Sequence, residues 1–369
     1  MEKRFRVGIV GLSAERGWAT TAHIPALRAL ADVFEIAGVA NTSLASAQAA
    51  AAAYDIPRAF ENVAELVASP EIDFVVVTVK VPYHKEVVSA ALEARKAVYC
   101  EWPLGNGLGE ATELARLANE SKALAVIGTQ AIASPELGFI RKLIDEGYVG
   151  DVLSSTYISA GVSWGDHIPR GDAYAMDSRN GATLLSVIGG HAIAAAQNIL
   201  GPIREIDAVL SCRRQTVSIT ETGESVPMKT PDHVMINAVL DSGAPLSLQL
   251  RGGLPRGTRL LWEINGTEGD LRITAAVEQA PVVNISPLRV EGGRKGQEGY
   301  IALEIPQSFY FGLEDAVAAR NVAGIYRLVA DDLRLGTRTA PNFNDALALH
   351  KVLSAIEQSD QTGRRVRVG

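Results

Sequence analysis

Side chains that could transfer protons occur at two places in this 369-residue sequence. Lys80 follows the strand-like run FVVVTV, so in a parallel sheet it would lie on the floor of the ligand cleft, where burial and a cationic neighbourhood would lower its pKa. His191 stands beside Gly189 and Gly190, and its ordinary pKa suits general acid–base catalysis. Each has a plainer interpretation: a solvated loop residue for Lys80, and a structural hydrogen-bonding group for His191.

A loop dense in polar and aromatic residues is the candidate substrate surface. It contains Trp164, Tyr174 and Asp177, and His191 follows further along the chain. An aromatic ring can stack on the face of a sugar, while a carboxylate accepts hydrogen bonds from hydroxyl groups. The loop therefore predicts a polyol-binding surface. The same composition also fits a solvent-exposed loop or an oligomer contact.

A strand, a tight glycine turn and a helix open the chain. The run Val7 to Val10 ends at Gly11, small residues follow up to Gly17, and apolar residues then recur at helical spacing. In such a turn, backbone N–H groups and the positive end of a helix can face a pyrophosphate. Ser13 and Arg16 replace the second and third glycines of G-x-G-x-x-G, so we expect a wider loop. An ordinary strand–helix turn without a ligand is the alternative.

Two further segments follow predicted strands. Asn41, Thr42 and Ser43 stand where an acidic residue would bind the ribose of NAD. Because these side chains are neutral and small, they leave room for a 2′-phosphate and favour NADP over NAD; they also suit capping the next helix. Glu101 could hydrogen-bond an amide or a lysine. Trp102 could cover a flat ring, or could simply pack the turn against a second domain.

The first third of the chain alternates strands and helices, which predicts a doubly wound parallel sheet. The predicted strands cover residues 7–10, 35–40, 74–79, 97–100 and 123–128. The predicted helices cover residues 43–54, 63–68, 83–94 and 108–122. We expect a first, NAD(P)-binding domain over residues 1–130.

The regular alternation of strands and helices ends after Gly128. The segments that follow predict an α+β second domain, residues 131–369, with a large, mostly antiparallel open sheet. The strand-like segments cover residues 153–160, 206–211, 234–240, 246–250, 260–264 and 270–274. The predicted helices cover residues 135–146, about 187–200, and 344–358 at the tail, which could pack on either domain. With no linker of low complexity, the two domains should meet closely and leave a binding cleft between them.

Bulk composition excludes several classes of function. The length of the chain predicts about two domains. The net charge of −7 argues against a general nucleic-acid surface. No apolar run approaches the ~20 residues needed to cross a bilayer, and the N-terminus does not resemble a signal peptide. Cys100 and Cys212 make neither a disulfide framework nor a metal cluster. We therefore expect a cytoplasmic protein without a metal site, a membrane partner or direct nucleic-acid binding.

Taken together and in this order, these stretches resemble the glucose–fructose oxidoreductase and inositol dehydrogenase family, Gfo/Idh/MocA, over nearly the whole chain. The matching segments are the glycine turn, the strand end through His84, AVYCEWPLG, IRKLIDEGYVGDV, GATLLSVIGGHAI and the tail GRRVRV. GLS…GWA, KVPYH, EWPLG and D-x-x-N-G-A-T-L-L resemble most the branch of the fungal galactose-regulon repressor and its bacterial oxidoreductase relatives.

The resemblance implies an N-terminal Rossmann domain that binds a nicotinamide cofactor, an open-sheet second domain, and an active site at their interface. It also suggests a homodimer or homotetramer formed through the second sheet. On this basis the cofactor-binding residues are Gly11, Leu12, Ser13, Gly17, Trp18, Asn41, Thr42, Ser43, Thr78, Val79, Lys80, His84, Glu101 and Trp102. The catalytic candidates are His191 and Lys80, and the substrate candidates are Trp164, Tyr174, Asp177 and His191.

The chain departs from the family pattern at the proton-transfer residues. Trp102 replaces the lysine of the E-K-P motif, while Val187 and Ala194 replace two aspartates near His191. Two hypotheses follow. Either Lys80 and His191 take over proton transfer in an NAD(P)-dependent oxidoreductase acting on a sugar, polyol or related carbonyl compound, or the cofactor is bound without turnover and the protein is a regulator or redox sensor.

Overall fold

The computed structural model describes residues 4–277, 279, 281–310, 312–313 and 315–369. The chain forms two compact units, Met1–Gln130 with Phe311–Ala348, and Ala131–Tyr310 with Leu349–Gly369. This division differs from the predicted domains in residues 311–348, which belong to the first unit although they follow the second along the chain.

Strands and helices alternate in the first unit, and strands dominate the second. The strands are β1 (Phe5–Val10), β2 (Phe34–Ala40), β3 (Arg58–Phe60), β4 (Phe74–Val77), β5 (Ala97–Glu101), β6 (Ala125–Gly128), β7 (Val152–Gly161), β8 (His167–Ile168), β9 (Ile203–Ser211), β10 (Thr216–Ile219), β11 (Ser225–Pro227), β12 (His233–Leu240), β13 (Pro245–Gly252), β14 (Leu261–Gly266), β15 (Gly269–Ala275), β16 (Leu288–Arg294), β17 (Ile301–Ala302) and β18 (Val366–Arg367). The α-helices are α1 (Ile24–Ala29), α2 (Leu44–Ala53), α3 (Val63–Ala68), α4 (His84–Glu93), α5 (Gly107–Ser121), α6 (Pro135–Asp145), α7 (Gly190–Leu200), α8 (Val317–Leu335) and α9 (Phe343–Thr362).

The first unit is built on a six-stranded parallel sheet in the order β3-β2-β1-β4-β5-β6. Strands β1 and β4 are apolar on both faces because helices cover both sides of such a sheet; Ile9, Val75 and Val76 have no exposed surface. The chain leaves β1 toward β2 on one side, and β4 lies on the other, so the strand order reverses between β1 and β4. The doubly wound prediction is confirmed.

Helix α8 completes the core of the first unit from the far end of the sequence. It packs on α1 and on the π-helical stretch that precedes α1, Ala19–His23. Its Tyr326 is fully buried, with its ring 5.5 Å from that of Phe34 and 5.3 Å from that of Tyr99. These ring contacts anchor α8 in the core of the first unit.

The second unit is built on a nine-stranded sheet in the order β17-β16-β15-β14-β7-β13-β12-β9-β18. In the described part of the chain, β7 and β13 form its parallel pair, and the remaining neighbours are antiparallel, so the predicted mostly antiparallel sheet is confirmed. Side chains alternate between a buried and a solvent-facing side along β12 and β13, as expected for a sheet covered on one face.

Helices α6 and α7 pack together, and the π-helical stretch Leu184–Gly189 before α7 packs on β12 and β13. A separate three-stranded sheet has the order β11-β10-β8. Helix α9 is longer than the predicted tail helix, and its residues up to Ala348 belong to the first unit while those from Leu349 belong to the second.

Candidate functional site in the first unit

The glycine turn lies where the strand order of the parallel sheet reverses, which is where such sheets bind ligands. Gly11 adopts φ +103°, a conformation that favours glycine, and its N–H donates to the Ala40 carbonyl at 3.1 Å. A Cβ at this position would lie 2.9 Å from the carbonyl carbon of Thr78 and from the backbone nitrogen of Val79. Only glycine lets the ends of β1 and β4 approach this closely.

The loop after Gly11 holds its own shape. The Ser13 hydroxyl accepts hydrogen bonds from the backbone N–H groups of Glu15 and Arg16, at 3.3 and 3.4 Å. The Tyr54 hydroxyl donates to the Ala14 carbonyl at 3.2 Å. Ser13 therefore shapes the wider loop from within, in the place of the second glycine of the motif.

The two ends of the loop differ in burial. Leu12 is fully buried, whereas Gly17 is exposed and adopts φ +130°. Trp18 begins the helical stretch, and its buried indole N–H has no acceptor among the described residues. A buried donor without an acceptor is consistent with a site that a bound group completes.

The end of β2 fixes the loop from the other side. The Asn41 amide donates to the Leu12 carbonyl at 2.8 Å and to the Ser46 carbonyl at 3.1 Å. Ser43 caps α2 by accepting from the Ser46 N–H, as predicted, and Thr42 is exposed. This segment thus presents neutral, hydrogen-bonding side chains beside the glycine turn.

The end of β4 corrects one expectation. The Thr78 hydroxyl donates to the Val10 carbonyl at 3.0 Å, which fastens β4 to β1. The strand ends at Val77, two residues earlier than predicted, because Thr78 and Val79 leave the sheet. Lys80 is consequently exposed and does not lie on a buried cleft floor.

His84 has a structural position. Its side chain is buried, with Nδ1 2.7 Å from the Pro103 carbonyl oxygen and Nε2 2.9 Å from the Val79 carbonyl oxygen. Burial lowers its pKa, so the neutral ring predominates and donates to one carbonyl at a time. Both ring nitrogens thus face the backbone of the strand-end loops. His84 can support a cofactor site by holding these loops.

Glu101 ends β5 and is held by a histidine that sequence analysis missed. His23, the last residue of its π-helical stretch, is fully buried and places Nε2 2.9 Å from Oε1 of Glu101. Its Nδ1 lies 2.7 Å from the Tyr326 hydroxyl, 303 residues away in sequence. The signal available in the sequence was a histidine directly before the apolar residues of α1. Trp102 follows Glu101, is 5% exposed, and precedes Pro103 through a cis peptide bond.

Predicted site residues in the second unit

Tyr174 and Asp177 lie in consecutive 3₁₀ turns, Arg170–Met176 and Ser178–Asn180. The Asp177 carboxylate accepts hydrogen bonds from the Arg179 guanidinium and from the Arg179 N–H, and these lower its pKa to about 2. Burial raises the pKa of Tyr174 to about 12. The Asp177 N–H donates to the Tyr174 carbonyl at 3.3 Å, and the Asp177 side chain caps the turn Ser178–Asn180.

Trp164 is buried at φ +60°, unusual for a residue with a large side chain. Its carbonyl oxygen occupies the space that a Cβ at Gly252 would need. His191 is 4% exposed and is the second residue of α7, directly after the π-helical stretch Leu184–Gly189. That stretch begins with a reciprocal cap between Thr183 and Ser186 and starts three residues before the predicted helix. His23 and His191 therefore both adjoin π-helical segments, which are often found at functional sites.

In the described part of the chain, no group of three or more His, Cys, Asp or Glu side chains is arranged to hold a metal ion. None of the helices in that part is long and apolar enough to cross a membrane.

Similar proteins

Two protein families match the chain, one in each unit. Residues 5–129 match the Gfo/Idh/MocA oxidoreductase family with its NAD-binding Rossmann fold. Residues 135–275 match the C-terminal domain of Gal80p. The two matches follow each other along the sequence without overlap.

Two relatives illustrate the similarity. The galactose/lactose metabolism regulatory protein GAL80 of Kluyveromyces lactis is 31% identical over 288 residues, which cover 73% of this chain and 63% of that protein. The crystal structure of that regulator superposes with a TM-score of 0.87 at 28% identity, over 99% of this chain and 92% of the solved one. Dehydrogenase aclE of Aspergillus oryzae is 30% identical over 285 residues, which cover 74% of this chain and 77% of aclE.

Levoglucosan dehydrogenase, solved in complex with NADH and levoglucosan, superposes over the full length of both chains with a TM-score of 0.85 at 20% identity. At this identity the likeness concerns the fold. The alternating first unit, the glycine turn at the reversal of strand order and the match to aclE agree with one another. The chain is therefore a member of the Gfo/Idh/MocA oxidoreductase family, near the Gal80 branch.

Proposed function

We propose that this protein binds a nicotinamide dinucleotide at the glycine turn and transfers a hydride between that cofactor and a sugar, polyol or related carbonyl substrate. The observation that carries the proposal is the glycine turn at the reversal of strand order, where Gly11 adopts φ +103° and lets the ends of β1 and β4 approach closely. A pyrophosphate can approach backbone N–H groups closely only where no Cβ intervenes. Bound there, the cofactor would supply a hydride donor or acceptor.

NADP is the preferred cofactor in this proposal. Thr42 and Ser43 are exposed and neutral at the end of β2, and Asn41 is turned toward the Leu12 and Ser46 carbonyls. A carboxylate here would accept the ribose hydroxyls of NAD and repel a 2′-phosphate. The neutral side chains remove that repulsion.

His191 and Lys80 are the proposed proton-transfer groups, since Trp102 cannot exchange a proton with a substrate hydroxyl. Oxidation of an alcohol releases a hydride and a proton, and the proton needs a base. Trp164, Tyr174 and Asp177 are proposed to contribute to substrate binding, with the Asp177 carboxylate already committed to Arg179.

A regulator that binds the cofactor without turnover is the second candidate. The replacement of the family lysine by Trp102 favours it, as does the similarity to the GAL80 regulatory protein. The partner of such a regulator would be another protein.

A homodimer or homotetramer through the second sheet is proposed in either case. Val209 on β9 and Met235 on β12 are directly paired across strands, and they are 52% and 48% exposed. Apolar side chains that adjoin on the uncovered face of a sheet are typical of an interface.

Calorimetric titration with NADPH and NADH tests cofactor binding, and an absorbance screen at the reduced-nicotinamide band against sugars, polyols and ketones tests turnover. Binding with turnover supports the oxidoreductase. Binding without turnover on any compound supports the regulator. If neither cofactor binds, both candidates are wrong.

A further inference from the structure

We propose that Tyr326 and His23 hold Glu101 as a fixed hydrogen-bond acceptor for the carboxamide of the nicotinamide ring. This inference rests on the proposed cofactor binding. It makes His23 and Tyr326 positioning residues, and Glu101 the group that contacts the cofactor.

The hydrogen bonds of the three side chains form one directed chain. A carboxylate only accepts hydrogen bonds, so Nε2 of His23 carries the proton and donates to Glu101 at 2.9 Å. With the proton on Nε2, Nδ1 is the acceptor for the Tyr326 hydroxyl at 2.7 Å. Burial raises the pKa of Tyr326, so its hydroxyl keeps the proton that it donates.

Packing leaves the three groups little freedom. His23 has no exposed surface, and the rings of Tyr99 and Tyr326 lie edge-on to it at 5.2 and 5.7 Å. Gly128 gives the carboxylate its space, since a Cβ there would lie 2.7 Å from Oε1 of Glu101. Imidazole, aromatic rings and β6 thus fix the orientation of the Glu101 side chain.

Glu101 lies at the end of a strand where the nicotinamide half of a dinucleotide would bind. It ends β5, the strand beside β4, and its side chain is 12% exposed. The end of β2, where the ribose of the adenosine half binds in this fold, lies on the opposite side of β1. A cofactor with its pyrophosphate at Gly11 would therefore extend its other half toward β4 and β5.

The Glu101 carboxylate, as a hydrogen-bond acceptor, determines which group of the cofactor can bind it. A fixed carboxylate oxygen calls for an N–H or O–H group, and the carboxamide is the part of the nicotinamide that carries N–H donors. Adenine also carries an amino group, so the test must separate the two halves of the cofactor.

The experiment compares cofactor binding with binding of the same molecule without its nicotinamide. Dissociation constants are measured by calorimetry for NADH and ADP-ribose, or for NADPH and 2′-phospho-ADP-ribose if the protein prefers NADPH. The variants are His23→Leu, His23→Gln and Tyr326→Phe. Thermal unfolding of each variant is recorded alongside.

His23→Leu should weaken binding of the complete cofactor about tenfold or more and change binding of the nicotinamide-free analogue less than twofold. His23→Gln should restore most of the affinity, because its amide N–H can replace Nε2 as the donor to Glu101. Tyr326→Phe should have a smaller effect of the same kind.

Equal losses for both ligands, or no loss for either, would overturn the inference while leaving the proposed function in place. Failure of the unaltered protein to bind any dinucleotide would overturn both. Tyr326→Phe removes one hydroxyl and keeps the ring packing, so it decides the matter if His23→Leu does not fold.

Discussion

Gly11 and Thr78 approach each other so closely that no side chain fits between them: a Cβ on Gly11 would lie 2.9 Å from the Thr78 carbonyl carbon. The contact joins the ends of β1 and β4 at the reversal of strand order. Both this part of the fold and the proposed pyrophosphate site therefore require a glycine at position 11.

Gly11→Ala should lower the free energy of unfolding by about 2 kcal/mol, because alanine is strained at positive φ and its methyl group meets backbone atoms. It should also weaken cofactor binding at least tenfold. Denaturant unfolding and calorimetry check the two effects. Gly109→Ala in α5 is the matched control, since a Cβ there meets no atom within 4 Å, and it should leave binding unchanged. Tight cofactor binding by Gly11→Ala would refute the proposed location.

His191→Ala and Lys80→Ala should each lower turnover by roughly 10²–10⁴-fold if these side chains exchange the substrate proton. For His191→Ala we expect little change in cofactor affinity. Steady-state kinetics on any substrate found in the screen provides the measurement. Lys85→Ala is the control, because Lys85 is a half-buried lysine paired with Glu113. The turnover of this variant should equal that of the unaltered protein. Unchanged turnover in both test variants would remove the catalytic assignment.

Thr42→Glu should weaken NADPH binding about tenfold, because the added carboxylate would repel a 2′-phosphate at the end of β2. Binding of NADH should change less, or improve. Calorimetry with both cofactors measures the preference. Equal effects on both would show that the 2′-phosphate does not bind beside Thr42.

Met235→Lys should dissociate the proposed oligomer, because it places a charge on the uncovered face of the second sheet beside Val209. Sedimentation equilibrium of the variant and the unaltered protein gives the masses. Leu335→Lys, at a 73% exposed position of α8, introduces the same charge elsewhere and should leave the mass unchanged. A monomer in the unaltered protein would contradict the proposed interface.

His350 should make stability depend on pH. Burial lowers its pKa from 6.5 to about 4, so the unfolded chain takes up a proton that the folded protein excludes. The stabilisation is complete above pH 6.5 and is lost as the pH falls toward 4, by roughly 3 kcal/mol in total. His84, with its pKa also lowered by burial, acts in the same direction. Urea unfolding between pH 7.5 and 4.5 should show a shallower dependence for His350→Leu. An identical slope in both proteins would contradict this assignment.

Local patterns predicted much of the fold. The apolar run ending at Val10, the short helix over residues 63–68 and the strand β12 each follow from neighbouring residues, and all lie as expected. Strands β3, β8, β10 and β11 were missed because they have two to four residues, too few for a period to appear. In β16, the pair Gly292 and Gly293 concealed a strand, since Gly292 makes room for the Tyr148 hydroxyl.

Long-range relationships were beyond sequence reasoning. Helix α8 has an apolar face that includes Val322 and Tyr326 and could have been predicted as a helix. Its packing in the core of the first unit could not, because Tyr326 meets Phe34 across hundreds of residues of sequence. The pairing of His23 with Tyr326 has the same origin. Lys80 was predicted to be buried because the strand was assumed to continue through Val79, whereas it ends at Val77.

Residues 311–348 belong to the first unit but are synthesised after most of the second unit, which affects the order in which the protein can fold. When the six parallel strands have been synthesised, Tyr326 has not, so its ring does not yet fill the space among Phe34, Phe74 and Tyr99. Nearly two hundred further residues, including most of the second unit, must be synthesised before α8 can close it. Until then the first unit lacks this ring in its core, and incompletely folded chains of this kind expose apolar surface to chaperones and proteases.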